Sequence, residues 1–462
     1  MSHIAVIDFG KTNVKVVLVE PGSLTEIAAR RIPNTVRAGP PFAHYDTQGH
    51  WDFLIASLRD LNAAHGIAAI SITTHGATAA LIDEAGALVL PILDYEDPGP
   101  EEMRAAYDAI RPAFHETGSP RLGNGLNLGA QLHWLFRRFP ETAQVRHILP
   151  YPQYWAWRLT GVAAAEPTSL GCHTDLWRPR EGRFSSLVER MGWIDRMPPV
   201  RPATDRLGVV RPEVADLAGL PPDTPVANGI HDSNASLYPH LLARSSPFAV
   251  VSTGTWVVCM AVGAGAVALD PARDTLINVD ARGEPVPSAR FMGGREYEIV
   301  RAGCEARPSA ADRAAVLRRG VRLLPSVEAG SGPFAERRAA WTAAPETDGE
   351  RMLALSWYLA LMTAQCLSMI GAAGPVIVEG PFAGNADYLE MIAAATGRPV
   401  GCSPAGSTGT SLGAALLVTG SPAQPVARVS APPAADGALA AYAAAWRHAV
   451  ADGVPGRPVA AL

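Results

Sequence analysis

Lysine is nearly absent from this chain. Of 39 basic side chains only Lys11 and Lys15 are lysines, both within IAVIDFGKTNVKVVLVE. Arginine carries positive charge everywhere else, and the two groups differ: ammonium is a compact point charge, guanidinium a planar fork. So sparing a use of lysine draws attention to the turn that holds Lys11. Cysteine is scarce too. The five cysteines (Cys172, Cys259, Cys304, Cys366, Cys402) are odd in number and far apart, without a CxxC pair. That excludes a disulfide framework and reads as reduced thiols in a cytoplasmic protein. No stretch reaches the roughly 18 apolar residues of a membrane span. At the N-terminus no basic segment precedes an apolar run, because Asp8 and Lys11 interrupt the early one. With a net charge of −5 and no long basic block, nothing argues for a nucleic-acid or membrane-surface partner. The twelve histidines lack HExxH or comparable spacing, which argues against zinc.

What is present points to an α/β protein. A length of 462 residues at 48% hydrophobic content can bury more than one core and predicts two or three domains. Residues 1–20 read as a hairpin, and a similar pattern returns at 247–262, PFAVVSTGTWVVCMAV. Strands are expected at 67–75, at 77–83 and in PVIVEG; helices at 128–139, 150–159, about 350–371 and in ADYLEMIAAATG. Strands interleaved with helices mean an α/β architecture, and two hairpin-led halves suggest two related domains around a cleft. The tail from about 421 is rich in Ala, Pro and Gly, with an accessory helix expected at 437–451 and loose ends around it.

The first bend gathers Asp8, Gly10, Lys11, Thr12 and Asn13: a carboxylate, a glycine, a cation and two small polar groups. Such a turn suits a nucleotide's phosphates and their metal ion, since backbone N–H groups beside glycine approach phosphate closely. An ordinary hairpin in an arginine-biased chain is the competing account. Asp232, in GIHDSNAS, follows a short strand and a glycine and could equally cap the next helix. GNGLNLG at 123–129 has GxGxxxG spacing and no clear leading strand, so it is not a dinucleotide loop. MGGREYE at 292–298 reads as an ordinary turn beside Arg295, and Trp155 and Trp157 as core or interface. Adjacency of Cys172, His173 and Asp175 does not build a triad.

DFGKTN, GIHDSNAS, STGTW, VEGPFAGNADYLEMIAAATGRPV and STGTSLGAALL occur in the order and spacing of the FGGY carbohydrate kinases. That family belongs to the actin-like, sugar-kinase and Hsp70 ATPase superfamily, and the resemblance covers roughly residues 1–420. HD in the catalytic motif and STGTW are most similar to the rhamnulokinase and fuculokinase branch. The resemblance implies two actin-like (ribonuclease H-like) α/β domains flanking a deep cleft. Residues 1–245 would form the sugar-binding side, 246–421 the nucleotide-binding side, and 422–462 a tail.

It also implies roles. Asp232 corresponds to the general base that accepts the sugar hydroxyl's proton, and His231 to a sugar contact. His75, Gly76 and Asp97 occupy sugar-contacting places, and Gln153 stands where some relatives have aspartate. Gly10, Lys11, Thr12 and Asn13 would cradle phosphate from one side; Thr253, Gly254 and Thr255 from the other. Of the third glycine-rich element, Gly380, Gly384 and Asn385 are carried over, while Pro381 and Phe382 depart from the family pattern. Gly409 and Gly413 let the backbone pack closely near nucleotide or simply pack helices. Asp8 carries the wrong sign to bind phosphate and would instead hold Mg2+. ATP and a small neutral sugar are the implied partners, L-fuculose or L-rhamnulose first, D-xylulose or another pentulose next. A superfamily phosphohydrolase and a catalytically silent sugar sensor are the alternatives. Homodimers are common in the family, and no interface is legible here. Lys15, between Val14 and Val16, is expected on the opposite strand face and solvated.

Overall fold

A computed structural model describes residues 3–402, 409–420, 428–429, 437–453 and 457–458. It divides into two units. One comprises the chain up to Ala243, the segment Ile277–Pro285 and the helix Gly409–Thr419; the other takes the remainder, including the helix Gly437–Ala451. The first crossover thus falls at 243/244, where a boundary at 245/246 was expected, and one late helix belongs with the N-terminal unit.

The first unit is built on β1 (His3–Phe9), β2 (Asn13–Val19), β3 (Glu26–Pro33), α1 (Thr47–His65), β4 (Ile67–Thr74), α2 (Tyr151–Thr160), β5 (Arg206–Val209), β6 (Pro225–Ala227), β7 (Ile230–His231) and α3 (Asp232–Ala243). The sheet order is β5-β6-β4-β1-β2-β3, with β7 also pairing β4. β1 runs antiparallel to β2 and parallel to β4. Its near-continuous apolar run, HIAVIDF, follows from burial on both faces. Ala5, Ile7 and Phe9 join a core with Leu54 and Leu58 of α1 and Trp155 of α2, while Ile4 and Val6 meet Ala414 and Ala415. Trp155 stacks on Phe9 with ring centroids 4.3 Å apart, a core role as expected.

The second unit repeats the plan. β8 (Phe248–Thr253), β9 (Val257–Val262), β10 (Pro285–Phe291), α4 (Asp348–Met369), β11 (Val376–Glu379), α5 (Ala386–Thr396) and β12 (Val400–Cys402) give the order β10-β9-β8-β11-β12. Here too an antiparallel hairpin has a parallel neighbour, β8 beside β11. α4 is long and apolar enough to cross a membrane, yet 78% of its apolar window is buried inside the protein. α6 (Gly409–Thr419) belongs to the first unit, where Ser71 Oγ donates to Ala414 O at 2.6 Å. Ser407 and Thr408 of the STGTSLG motif lie outside the described residues. α7 (Gly437–Ala451) appears where a helix was expected, though not as an accessory. Its Leu439, Tyr442 and Trp446 join the second core, and Tyr442 OH and Trp446 Nε1 donate to Val321 O and Leu323 O, both at 2.7 Å. The rest of the tail is outside the described residues except for two short strands.

Candidate active site

Parallel register assembles the candidate site of the first unit. Asp8 and Phe9 pair with Thr73 and Thr74, which pair in turn with Ile230 and His231. Three strands therefore end side by side, and the residues that follow them, Gly10–Asn13, His75–Gly76 and Asp232, emerge along one edge, the usual place for ligands in an open α/β sheet. His75 N–H donates to Phe9 O at 2.9 Å, tying two of these ends together.

Asp232 opens α3, where a carboxylate is favoured by the helix dipole. Its Oδ1 accepts from Ser233 N–H at 2.6 Å and lies 3.3 Å from His231 Nε2, with the side chain one-third exposed. The capping and catalytic accounts are thus compatible. Helix α3 is held from behind by α6: a Cβ on Gly413 would sit 1.7 Å from Ala235 O, so only glycine permits this approach. For Gly413, close helix packing inside the first unit is therefore its visible role.

His231 is buried. Thr168 Oγ1 accepts from its N–H at 3.0 Å and itself donates to Glu166 Oε2 at 2.6 Å. Gln153 Nε2 donates to Asn228 O and Gly229 O at 3.1 and 3.2 Å, bracing the strand that leads to Asp232. His75 lies among the rings of Tyr45, Tyr95 and Tyr151, at centroid distances of 5.1 to 5.3 Å. Burial, with the Lys11 and His231 charges, pushes its pKa down to about 4, so the ring is neutral at pH 7. Burial likewise raises Asp8 to about 6; Lys15 opposes that shift, and Asp232 and Glu26 add to it.

Three of these residues take partners that the sequence does not show. Lys15 is not merely solvated: its Nζ is 3.4 Å from Asp8 Oδ2. The strand face opposite Val14 and Val16 is the face that carries Asp8, its register partner. Asp97 is engaged in the loop, accepting from Ala43 N–H at 2.8 Å and Gly99 N–H at 2.7 Å. Asp94, three residues earlier, is instead the carboxylate gathered with Lys11, Tyr45 and Tyr95. Lys11 Nζ pairs with Asp94 Oδ1 and with Glu96 Oε2 at 3.1 Å, carboxylate partners beside the turn expected to meet phosphate. Thr12 and Asn13 remain exposed at the turn, with Asn13 Nδ2 donating to Thr12 Oγ1 at 2.9 Å. The signal for Asp94 lay in PILDYED, where any of three acids could answer the lone ammonium.

The second unit presents its own turn. Gly254 and Thr255 are exposed, while buried Thr253 donates to Glu379 O and accepts from Phe382 N–H at 3.1 Å. Gly380 has φ +80°, and a Cβ there would lie 2.0 Å from Thr253 O. Thr253 and Gly380 therefore form one tight element at the ends of β8 and β11. Gly384 has open space around its Cα, and Asn385 caps α5, accepting from Tyr388 N–H at 3.1 Å and donating to Ser356 Oγ at 3.0 Å. MGGREYE opens a helix, Gly293–Arg301, and is no simple turn. Gly294 N–H donates to Thr255 O at 3.2 Å, and a Cβ on Gly294 would collide with Gly254 O at 2.0 Å. The sequence placed these glycines beside Arg295 without showing that Gly294 packs on the Gly254–Thr255 turn. GNGLNLG likewise opens a helix, with Asn127 as its cap.

Residues 3–238 match the FGGY family of carbohydrate kinases, N-terminal domain, and residues 245–426 match carbohydrate kinase FGGY, C-terminal domain. A carbohydrate kinase from Novosphingobium aromaticivorans has a similar structure, with a TM-score of 0.91 and 36% identity over 98% of this chain and 99% of that one. The xylulose kinase of Lactobacillus acidophilus shares the fold, with a TM-score of 0.78 and 16% identity over 98% and 97% of the two chains. L-fuculokinase of Salmonella typhi is 26% identical over 269 residues, 56% of each chain, so the match spans little more than half of that relative. With both domains matched in order, and the repeated hairpin-led sheets to house them, this chain belongs to the FGGY family of carbohydrate kinases.

Proposed function

We propose that this protein transfers the γ-phosphate of ATP to a hydroxyl of a small ketose, with Asp232 as general base. The observation that carries the reading is the placement of Asp232: first residue of α3, one-third exposed, and beside the buried His231. A carboxylate so placed can accept a hydroxyl proton late in a loose transition state without a raised pKa. His231 and His75 supply sugar-side hydrogen bonding, and the tyrosines around His75 supply apolar faces for a sugar's C–H groups. L-fuculose and L-rhamnulose are the favoured substrates, the former supported by partial similarity to an L-fuculokinase. D-xylulose and other pentuloses come next.

The exposed turns at Thr12–Asn13 and Gly254–Thr255 suit phosphate contacts, Gly10 and Gly380 keeping the backbone approachable. Among the described residues no group of three or more His, Cys, Asp and Glu could hold a metal ion by itself. That fits magnesium arriving with nucleotide and held through one or two carboxylates. Asp8, whose charged form is disfavoured by burial and by Asp232, is the residue suited to it. Bound there, magnesium would spread the charge of the transferring phosphate.

A panel of ketoses and polyols in an ADP-release assay tests the reading, with Asp232→Asn beside wild type. A sugar-dependent rate should fall about 10²- to 10⁴-fold in the variant, the usual worth of general base catalysis. ADP release that no sugar raises would remove the kinase reading, and full activity in the asparagine variant would remove Asp232 as base.

A further inference from the structure

Gly76 marks an unusual neighbourhood. A Cβ on this residue would lie 2.7 Å from His231 Nε2 and 3.5 Å from Cys172 Sγ, so both side chains close over the same missing methyl. Cys172, 3% exposed, thus faces the same spot as His231, and the His173 and His231 side chains both act on its charge. His231 Nε2 in turn is 3.3 Å from Asp232 Oδ1. Cys172, His231 and Asp232 therefore cluster beside Gly76, with His173 next to the thiol in sequence. This is not the triad that CHTD suggests in sequence: Asp175 is bound by Arg111 at 3.1 Å and Tyr107 OH at 2.7 Å. Buried polar atoms without a hydrogen-bond partner here include His173 Nδ1, His75 Nε2 and Asn234 Oδ1. Asn234 reaches His231 Nδ1 through its amide nitrogen at 3.3 Å, and a half-turn of the amide would offer Oδ1 to a protonated Nδ1.

We propose that Cys172 is a positioning residue of the sugar site: as a thiolate it holds His231 charged and fixed, and takes up hydrogen bonding from Nε2 that would otherwise fall wholly on Asp232. Asp232 then keeps an oxygen free for the substrate hydroxyl, while the imidazolium presents a strong donor to a sugar oxygen. The proton moves only from Sγ to the ring, leaving the pair neutral overall. This rests on the sugar-kinase reading, but the ion pair itself does not.

The electrostatics agree. Burial opposes a charged Cys172, but His173 and then His231 outweigh it and draw the thiol below its ordinary range. Burial also opposes a charged His231, and Cys172, Asp232 and Glu166 outweigh it and raise the ring above its ordinary range. Lys11 and His231 bear on the neutral His75 next door.

Two measurements test the proposal in the full-length protein. Thiolate absorbance near 240 nm, taken as wild type minus Cys172→Ser, should show a step already complete at pH 7, and His231→Asn should move that step to higher pH. Cys172→Ser should lower kcat for the sugar about tenfold, the loss expected for one charge-assisted hydrogen bond. It should leave KM for ATP unchanged and shift the alkaline limb of the sugar profile to lower pH. A Cys172 thiol still protonated at pH 7 would overturn the ion pair, and a wild-type pH profile in a folded Cys172→Ser would overturn its positioning role. Because the absorbance step requires no turnover, it separates failure of this proposal from failure of the kinase reading; if Cys172→Ser does not fold, the same step is read as wild type minus His231→Asn.

Discussion

Lys15 Nζ stands 3.4 Å from Asp8 Oδ2, the two residues facing each other across β1 and β2. The pair shares a face with Ile4, Val6, Val17 and Val19. Asp8 nevertheless stays raised to about 6, because burial outweighs the single ammonium.

A stability trade-off follows for Asp8. A raised carboxylate favours the folded state fully below its unfolded value of 3.8, and that contribution is lost as pH climbs through about 6. The shift of about 2.2 units at about 1.36 kcal/mol each bounds the effect near about 3 kcal/mol. Asp8→Asn should therefore gain melting temperature relative to wild type between pH 4 and pH 7, while losing activity. Thermal melts at both ends of that range check it; a constant difference would mean Asp8 titrates normally.

Asp94 and Asp97 can be separated by paired variants. Asp94→Asn removes the carboxylate beside Lys11 and Tyr45 and should raise KM for the sugar about tenfold, as loss of a charged hydrogen-bonding partner does. Asp97→Asn loses a side-chain acceptor for one backbone N–H and should cost about 1 kcal/mol of stability with KM unchanged. Reversed outcomes would return the sugar contact to Asp97.

Lys11→Arg probes the same corner from the cation's side. Guanidinium cannot occupy the compact space between Asp94, Glu96 and the Tyr95 ring as an ammonium does. Sugar KM should rise and ATP KM should stay within about twofold, since the ion pair is made to carboxylates. A selective rise in ATP KM would instead place Lys11 on phosphate.

Gly380→Ala should act on nucleotide alone. An alanine at φ +80°, with its Cβ 2.0 Å from Thr253 O, must displace the turn after β11. The expected result is an ATP KM raised at least about tenfold, the cost of about 1.4 kcal/mol of strain, with sugar KM unaltered. Equal effects on both substrates would point to general unfolding.

The α/β plan was legible because its signals are local: apolar runs broken by DFGKTN and STGTW. Asp232 was legible for the same reason, standing where a short strand meets a helix. Pairings that depend on distant chain were not. The choice between Asp94 and Asp97 turns on a loop folding back 83 residues to Lys11. Lys15 was misread because alternation tells which face a residue takes and not what else is on it. The destination of α6 was hidden as well, since a helix rich in alanine and leucine shows no preferred side.

The return of α6 to the first unit has a consequence for biosynthesis. The backing of α3, through Gly413 on Ala235, comes from residues made after most of the second unit. A ribosome emits chain at about 5–20 residues per second, so the helix bearing Asp232 waits on the order of ten seconds or more for its support. Until then the back of α3 is uncovered, and a truncated chain ending before 409 would carry Asp232 without the helix that packs behind it.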